Sequence, residues 1–67
     1  MEKNWTKIYS TNQLHLAEIT KAVLEDHEIV TFMLNKKDSM YLFGEIELYA
    51  LKDDVLRAIN IIKKNDL

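Results

Sequence analysis

The chain has 67 residues, 48% of them hydrophobic and 30% charged, with a net charge of -2, one glycine, no proline and no cysteine. A single domain spanning residues 1–67 is all that this length holds, and a domain so small buries only about 60% of the surface its unfolded chain exposes. The missing cysteines exclude a disulfide framework and a thiolate metal site, leaving tight packing or oligomerisation as the supplement, while a pI near 5.6 excludes the basic footprint that phosphate backbones require.

The first residues, "MEKNWTKIYS", lack the apolar core of a signal peptide, and no run approaches the ~20 apolar residues that cross a bilayer. The expectation is a cytoplasmic chain with neither nucleic acid nor membrane as a partner. Linkers, repeats and low-complexity tracts are absent, and the longest polar stretch, "NKKDS", has the size of a turn.

Trp5 to Tyr9 is aromatic and β-branched at the density of a short first strand. Ser10, Thr11 and Asn12 follow as three candidate helix N-caps. A helix over about residues 13–27 places Leu16, Ile19, Val23 and Leu24 on one face, flanked by Ala17 and Thr20, with Glu18, Lys21 and Glu25 on the other. Ile29 to Leu34, "IVTFML", is apolar on both alternations apart from Thr31, the pattern of a strand buried on both faces.

After the polar turn, "MYLFGEIELYAL" resumes the strand pattern in two pieces. Met40 to Phe43 extends a hairpin or forms an apolar loop. Glu45 to Leu51 is a strand in which Ile46, Leu48 and Ala50 alternate against Glu45, Glu47 and Tyr49. Gly44 lies at the join, where a bend or a positive φ needs a residue without a side chain. Finally, "DDVLRAINIIKK" has acidic residues at its start and lysines at its end, which complements a helix dipole. Its stripe is Val55, Ala58, Ile59 and Ile62, with Leu56 and Ile61 off the centre.

The order β-α-β-β-α predicts an α+β, ferredoxin-like fold: a three-stranded sheet of order 1-3-2, both helices on one face through right-handed crossover, and the fourth strand missing. One sheet face and the strand 1 edge are then left open, and open edges recruit other chains unless blocked.

Several segments resemble one family: "WTKIYS", "AEITKAVLE", "IVT" at Ile29, "FGEIELYA" from Phe43 to Ala50, and "DDVLRAINII". Together they resemble the family of putative prokaryotic signal transducing proteins from Trp5 to Ile62. The most specific signature is Phe43, Gly44, Ile46, Glu47, Leu48 and Tyr49. The resemblance implies a small bacterial signalling domain without an assigned activity, distantly similar to the PII-like, ferredoxin-like group, whose members assemble through their sheets and bind small effectors. This chain carries Glu28 between the first helix and the second strand, where such domains often have glycine.

No constellation survives as a catalytic or metal site. His15 and His27 point about 120° apart on one helix at 100° per residue and cannot share a metal within one copy. The pairs Asp53/Asp54, Glu45/Glu47 and Glu25/Asp26 fit capping and solvated faces better than acid–base chemistry. Glu45 and Glu47 share one strand face, with Lys7 near them across strands 1 and 3, where a cross-strand ion pair fits better than catalysis. Ser10 has no histidine beside it, and a phosphate loop needs more than one glycine.

The candidate surface is a partner interface on the face away from the helices, formed by Lys7, Tyr9, Thr31, Met33, Glu47 and Tyr49; the pattern leaves open which face Trp5 takes. Aromatic residues there would stack bases in RNA-recognition domains, but the acidic balance favours protein contact. The expected function is a non-enzymatic interaction or regulatory module without cofactors, acting as a homo-oligomer, a dimer first, or with another protein. The alternative is a small-molecule effector sensor with its pocket between subunits or beneath Phe43 and Gly44.

Overall fold

A computed structural model describes residues 4–36 and 44–67. The elements run β1 (Trp5–Thr11), α1 (Leu14–Asp26), β2 (Thr31–Asn35), β3 (Ile46–Leu51), a single 3-10 turn (Lys52–Asp54) and α2 (Val55–Lys64). Both β1 and β2 pair with β3 in antiparallel fashion, so the sheet order is β1-β3-β2. This is the α+β arrangement the sequence predicts, with β3 central. The expectation that Met40 to Phe43 is strand or loop lies outside the described residues, as does the position of Phe43.

Clean alternation in β3 builds the core. Ile46, Leu48 and Ala50 are fully buried beneath the helices, beside Leu24 and Ala17 of α1 and Ala58 of α2. The helices touch each other and the sheet, giving a flat molecule only 15 Å along its shortest axis.

Helix α1 approaches the sheet through small residues. Its buried line is Ala17, Thr20 and Leu24, whereas Ile19, assigned to the packed face by its hydrophobicity, is 48% exposed. Thr20 is accommodated because its hydroxyl donates to the Leu16 carbonyl at 2.7 Å, leaving no unsatisfied buried oxygen. In α2 the buried stripe is Ala58, Ile61 and Ile62. It is rotated from the expected one, so Ile61 turns inward while Ile59 and Leu56 face out.

Ser10 and Thr11 do not cap α1. They continue β1 by pairing with Glu47 and Ile46, and the helix opens at Gln13 without a side-chain cap. Thr11 Oγ1 accepts instead from the Gln13 amide at 3.2 Å. At the start of α2, Asp53 and Asp54 form the 3-10 turn that precedes the helix, and Lys63 and Lys64 occupy its last turn.

Both helices end in the same way. After α1, the Glu28 amide donates to the Glu25 carbonyl (2.9 Å) and the Ile29 amide to the Leu24 carbonyl (3.0 Å), with Glu28 in the left-handed region at φ 64°. After α2, Asp66 repeats the role at φ 59°, its amide donating to Lys63 and that of Leu67 to Ile62, both at 3.1 Å. This is the Schellman closure, in which an apolar residue beyond the turn folds back onto the helix. Ile29 and Leu67 do so here, joining the core around Leu24 and Ile62. The closure also explains why β2 starts at Thr31 and not at Ile29.

Candidate functional site

The helices cover one face of the sheet, and the strand registers decide what lies on the other. Along β3 the uncovered positions are Glu47, Tyr49 and Leu51, alternating against buried Ile46, Leu48 and Ala50. Lys7 sits opposite Tyr49 and Trp5 opposite Leu51. On the other side, Phe32 sits opposite Tyr49 and Leu34 opposite Glu47. Cross-strand partners share a face, so Trp5, Lys7, Phe32, Leu34, Glu47 and Tyr49 form one surface.

Three aromatic rings run across it. Trp5 and Phe32 have centroids 6.0 Å apart and Phe32 and Tyr49 6.2 Å, both pairs tilted, within the range of favourable aromatic contact. Trp5 and Phe32 come from the two outer strands and meet over the central one. Phe32 remains 45% exposed.

Beside the rings lies Glu47, its side chain only 10% exposed. Its carboxylate accepts from the Tyr49 hydroxyl at 2.7 Å and pairs with Lys7 at 3.5 Å and Lys36 at 3.3 Å. The bond from Tyr49 draws the Glu47 pKa below its usual value; desolvation opposes this, and the two lysines reinforce it. The same bond, helped by desolvation, pushes the Tyr49 phenol above its usual value. Glu47 is thereby held ionised and Tyr49 neutral near pH 7, and neither is poised to exchange a proton. The group supplies a fixed, internally satisfied charge within an apolar face.

Of the residues expected at this surface, Lys7, Glu47 and Tyr49 are brought together. Tyr9, Thr31 and Met33 are not, for two local reasons. The β1–β3 register shifts between Lys7 and Tyr9, a bulge that turns Tyr9 against the core. In β2, Thr31 pairs with Ala50 and Met33 with Leu48, which puts both on the helix side; Thr31 is buried there with its hydroxyl donating to the Ile29 carbonyl at 3.2 Å.

Phe32, Leu34 and Lys36 take the places on the open face. A register through the Lys36–Glu45 backbone bond (3.0 Å) would have found all three, but "IVTFML" has no alternation of its own and Lys36 reads as turn. Within the expected signature, Ile46 to Tyr49 lie in β3, and Gly44 takes φ 94° just before it, the positive φ that the sequence anticipates.

An open cleft of about 280 Å³ lies at the opposite end of β3 from Gly44, lined by Asn4, Leu51, Lys52 and Asp53. His27, at the end of α1, donates through Nδ1–H to the Val23 carbonyl at 2.9 Å. Among the described residues no group of three or more His, Asp or Glu side chains could hold a metal ion, and no helix is long and apolar enough to cross a membrane.

A family model described as "Putative prokaryotic signal transducing protein" matches residues 5–66. No match is found among curated proteins or among solved structures.

Proposed function

The chain belongs to the family of putative prokaryotic signal transducing proteins, and from that premise we propose that it is a non-catalytic signalling module that works by association, its first partner being a second copy of itself, through the sheet that its helices leave uncovered. One observation carries this reading. The uncovered face presents a Trp5–Phe32–Tyr49 aromatic strip beside a carboxylate whose charge is already satisfied.

An apolar face exposed to water favours burial, at roughly 25 cal/mol per Å² of apolar area removed. Burying a charge ordinarily opposes that gain, and the bonds that Lys7, Lys36 and Tyr49 make to Glu47 reduce the penalty in advance. Tyrosine and tryptophan are also the residue types enriched at protein contacts. Charge permits a second copy: Lys7 and Lys36 stand against Glu47 and against Glu45, which immediately precedes β3, so like charges do not dominate the face. The core is modest, its largest fully buried side chains being Leu24, Ile29, Ile46, Leu48 and Thr20, and self-association is the usual supplement for a core of this size.

Light scattering over a concentration series from micromolar to millimolar tests the reading. The expected result is a mass that rises from 7.9 kDa toward twice that value. A mass that stays at the monomer value throughout overturns it.

A further inference from the structure

Resting on that reading of self-association, we infer that Lys7, Glu47 and Lys36 form a charge lock on the contact: two copies join while Glu47 is ionised and separate when it is neutralised.

The lock is drawn together from all three strands. Glu47 stands on the central β3 and Lys7 on β1, and Lys36 directly follows β2. Both amines reach the one carboxylate, Lys7 Nζ at Oε2 and Lys36 Nζ at Oε1, while the Tyr49 hydroxyl donates to Oε1. A lysine on an outer strand can turn its amine to the rim and into water. Here a carboxylate in the middle of the sheet draws both amines inward, onto the face that carries the aromatic strip.

Exposure decides what a second copy takes out of water. The Glu47 side chain is only 10% exposed in the single copy, whereas those of Lys7 and Lys36 are 52% and 54% exposed. The fold has already removed the carboxylate from solvent, so covering the face removes mainly the amines. An ammonium group withdrawn from water needs a counter-charge, and Glu47 is the one these two share. Neutralising Glu47 leaves both lysines without it, and the two-fold axis of a dimer brings the same excess from the other copy. Like charges then meet where water is scarcer and repulsion stronger.

The groups that act on Glu47 are Tyr49 of its own strand, Lys36 after β2 and Lys7 of β1; the helices pack on the other face of the sheet, over Ile46, Leu48 and Ala50. Tyr49 above all, with the two lysines, holds the Glu47 pKa below its ordinary value against desolvation, so the lock is closed at neutral pH. Covering the lysines strengthens their hold on the ionised form. The associated state therefore binds the Glu47 proton less readily than the separate copy does, and association weakens as pH falls through the Glu47 pKa.

Sedimentation equilibrium of the parent, Glu47→Gln and the triple variant Lys7→Gln, Lys36→Gln, Glu47→Gln tests the lock, with circular dichroism to follow the fold. Glutamine keeps an oxygen for the Tyr49 hydroxyl and removes the charge. At neutral pH the Glu47→Gln protein should associate at least several-fold more weakly than the parent. The triple variant, with no charge left in the lock, should recover the parent's affinity and lose less of it than the parent does as the solution is acidified. Association of the parent beside a folded Glu47→Gln protein that associates equally well overturns the lock while leaving self-association standing. If Glu47→Gln does not fold, the acid series decides, and an equal loss in the parent and the triple variant overturns the lock. A parent monomeric at every concentration overturns both.

Discussion

Glu28 and Asp66 occupy positions that a glycine fits better, and replacing them measures how tightly the helix ends are defined. Both have a positive φ, 64° and 59°, imposed by the paired bonds that close α1 and α2. Left-handed backbone costs a residue with a Cβ roughly 1–2 kcal/mol. Glycine removes that cost but returns about 0.4–1 kcal/mol through the greater freedom of the unfolded chain. Glu28→Gly should therefore stabilise by about 0.5–1 kcal/mol, a rise in Tm of about 2–8 °C for a domain of this size. Glu28 is exposed, and the capping bonds run from main chain to main chain, so nothing in the closure is lost. Asp66→Gly should gain less, since aspartate tolerates the left-handed region better than glutamate. Urea and thermal unfolding measure both, with an unchanged m-value confirming that the same transition is compared. A Glu28→Gly protein that melts at or below the parent temperature would mean that the left-handed geometry stores no recoverable cost.

Gly44→Ala should act in the opposite direction. At φ 94° the alanine Cβ is crowded, and a loss of about 1 kcal/mol is expected; full retention of stability in urea would remove the turn's need for glycine. The Glu47 carboxyl should titrate below its ordinary value of 4.5. Because its folded pKa is depressed, its stabilising contribution is present above the unfolded pKa and is lost as pH falls through the folded one. A carboxyl carbon-13 titration with its midpoint at or above 4.5 would contradict the Tyr49 and lysine contacts. Glu47→Gln should in turn bring the Tyr49 phenol down toward 10.0, since Glu47 is the main cause of its elevation; ultraviolet titration reads this, and an unmoved Tyr49 would count against the bond.

Element order and sheet topology were legible because each element carried a strong local signal. Alternation through Ile46, Glu47, Leu48, Tyr49 and Ala50 fixes both faces of β3, and Lys7 follows from pairing across it. Facing failed where such alternation was missing or interrupted. β2 is apolar at every position but its ends, so Thr31 looked like an outward residue although its buried hydroxyl finds a carbonyl. In β1 a one-residue bulge reversed Tyr9, and no sequence rule marks a bulge formed without glycine. α1 meets the sheet through Ala17 and Thr20, because close approach selects small side chains and leaves Ile19 at the margin. Glu28, legible only as a departure from glycine, is the left-handed residue that closes α1. The aromatic strip was half visible, with Tyr49 assigned and Phe32 hidden by the missing parity of its strand.

Sedimentation velocity of the parent beside Phe32→Lys shows whether the uncovered sheet joins copies of this chain. Phe32 is 45% exposed, so the variant should keep its fold, while a charge placed in the middle of the aromatic strip opposes burial of that face against another copy. Association through this sheet gives a parent protein whose sedimentation coefficient climbs with concentration and a Phe32→Lys protein that stays monomeric over the same range. A parent that never leaves the monomer, or a variant that associates as the parent does, would contradict it.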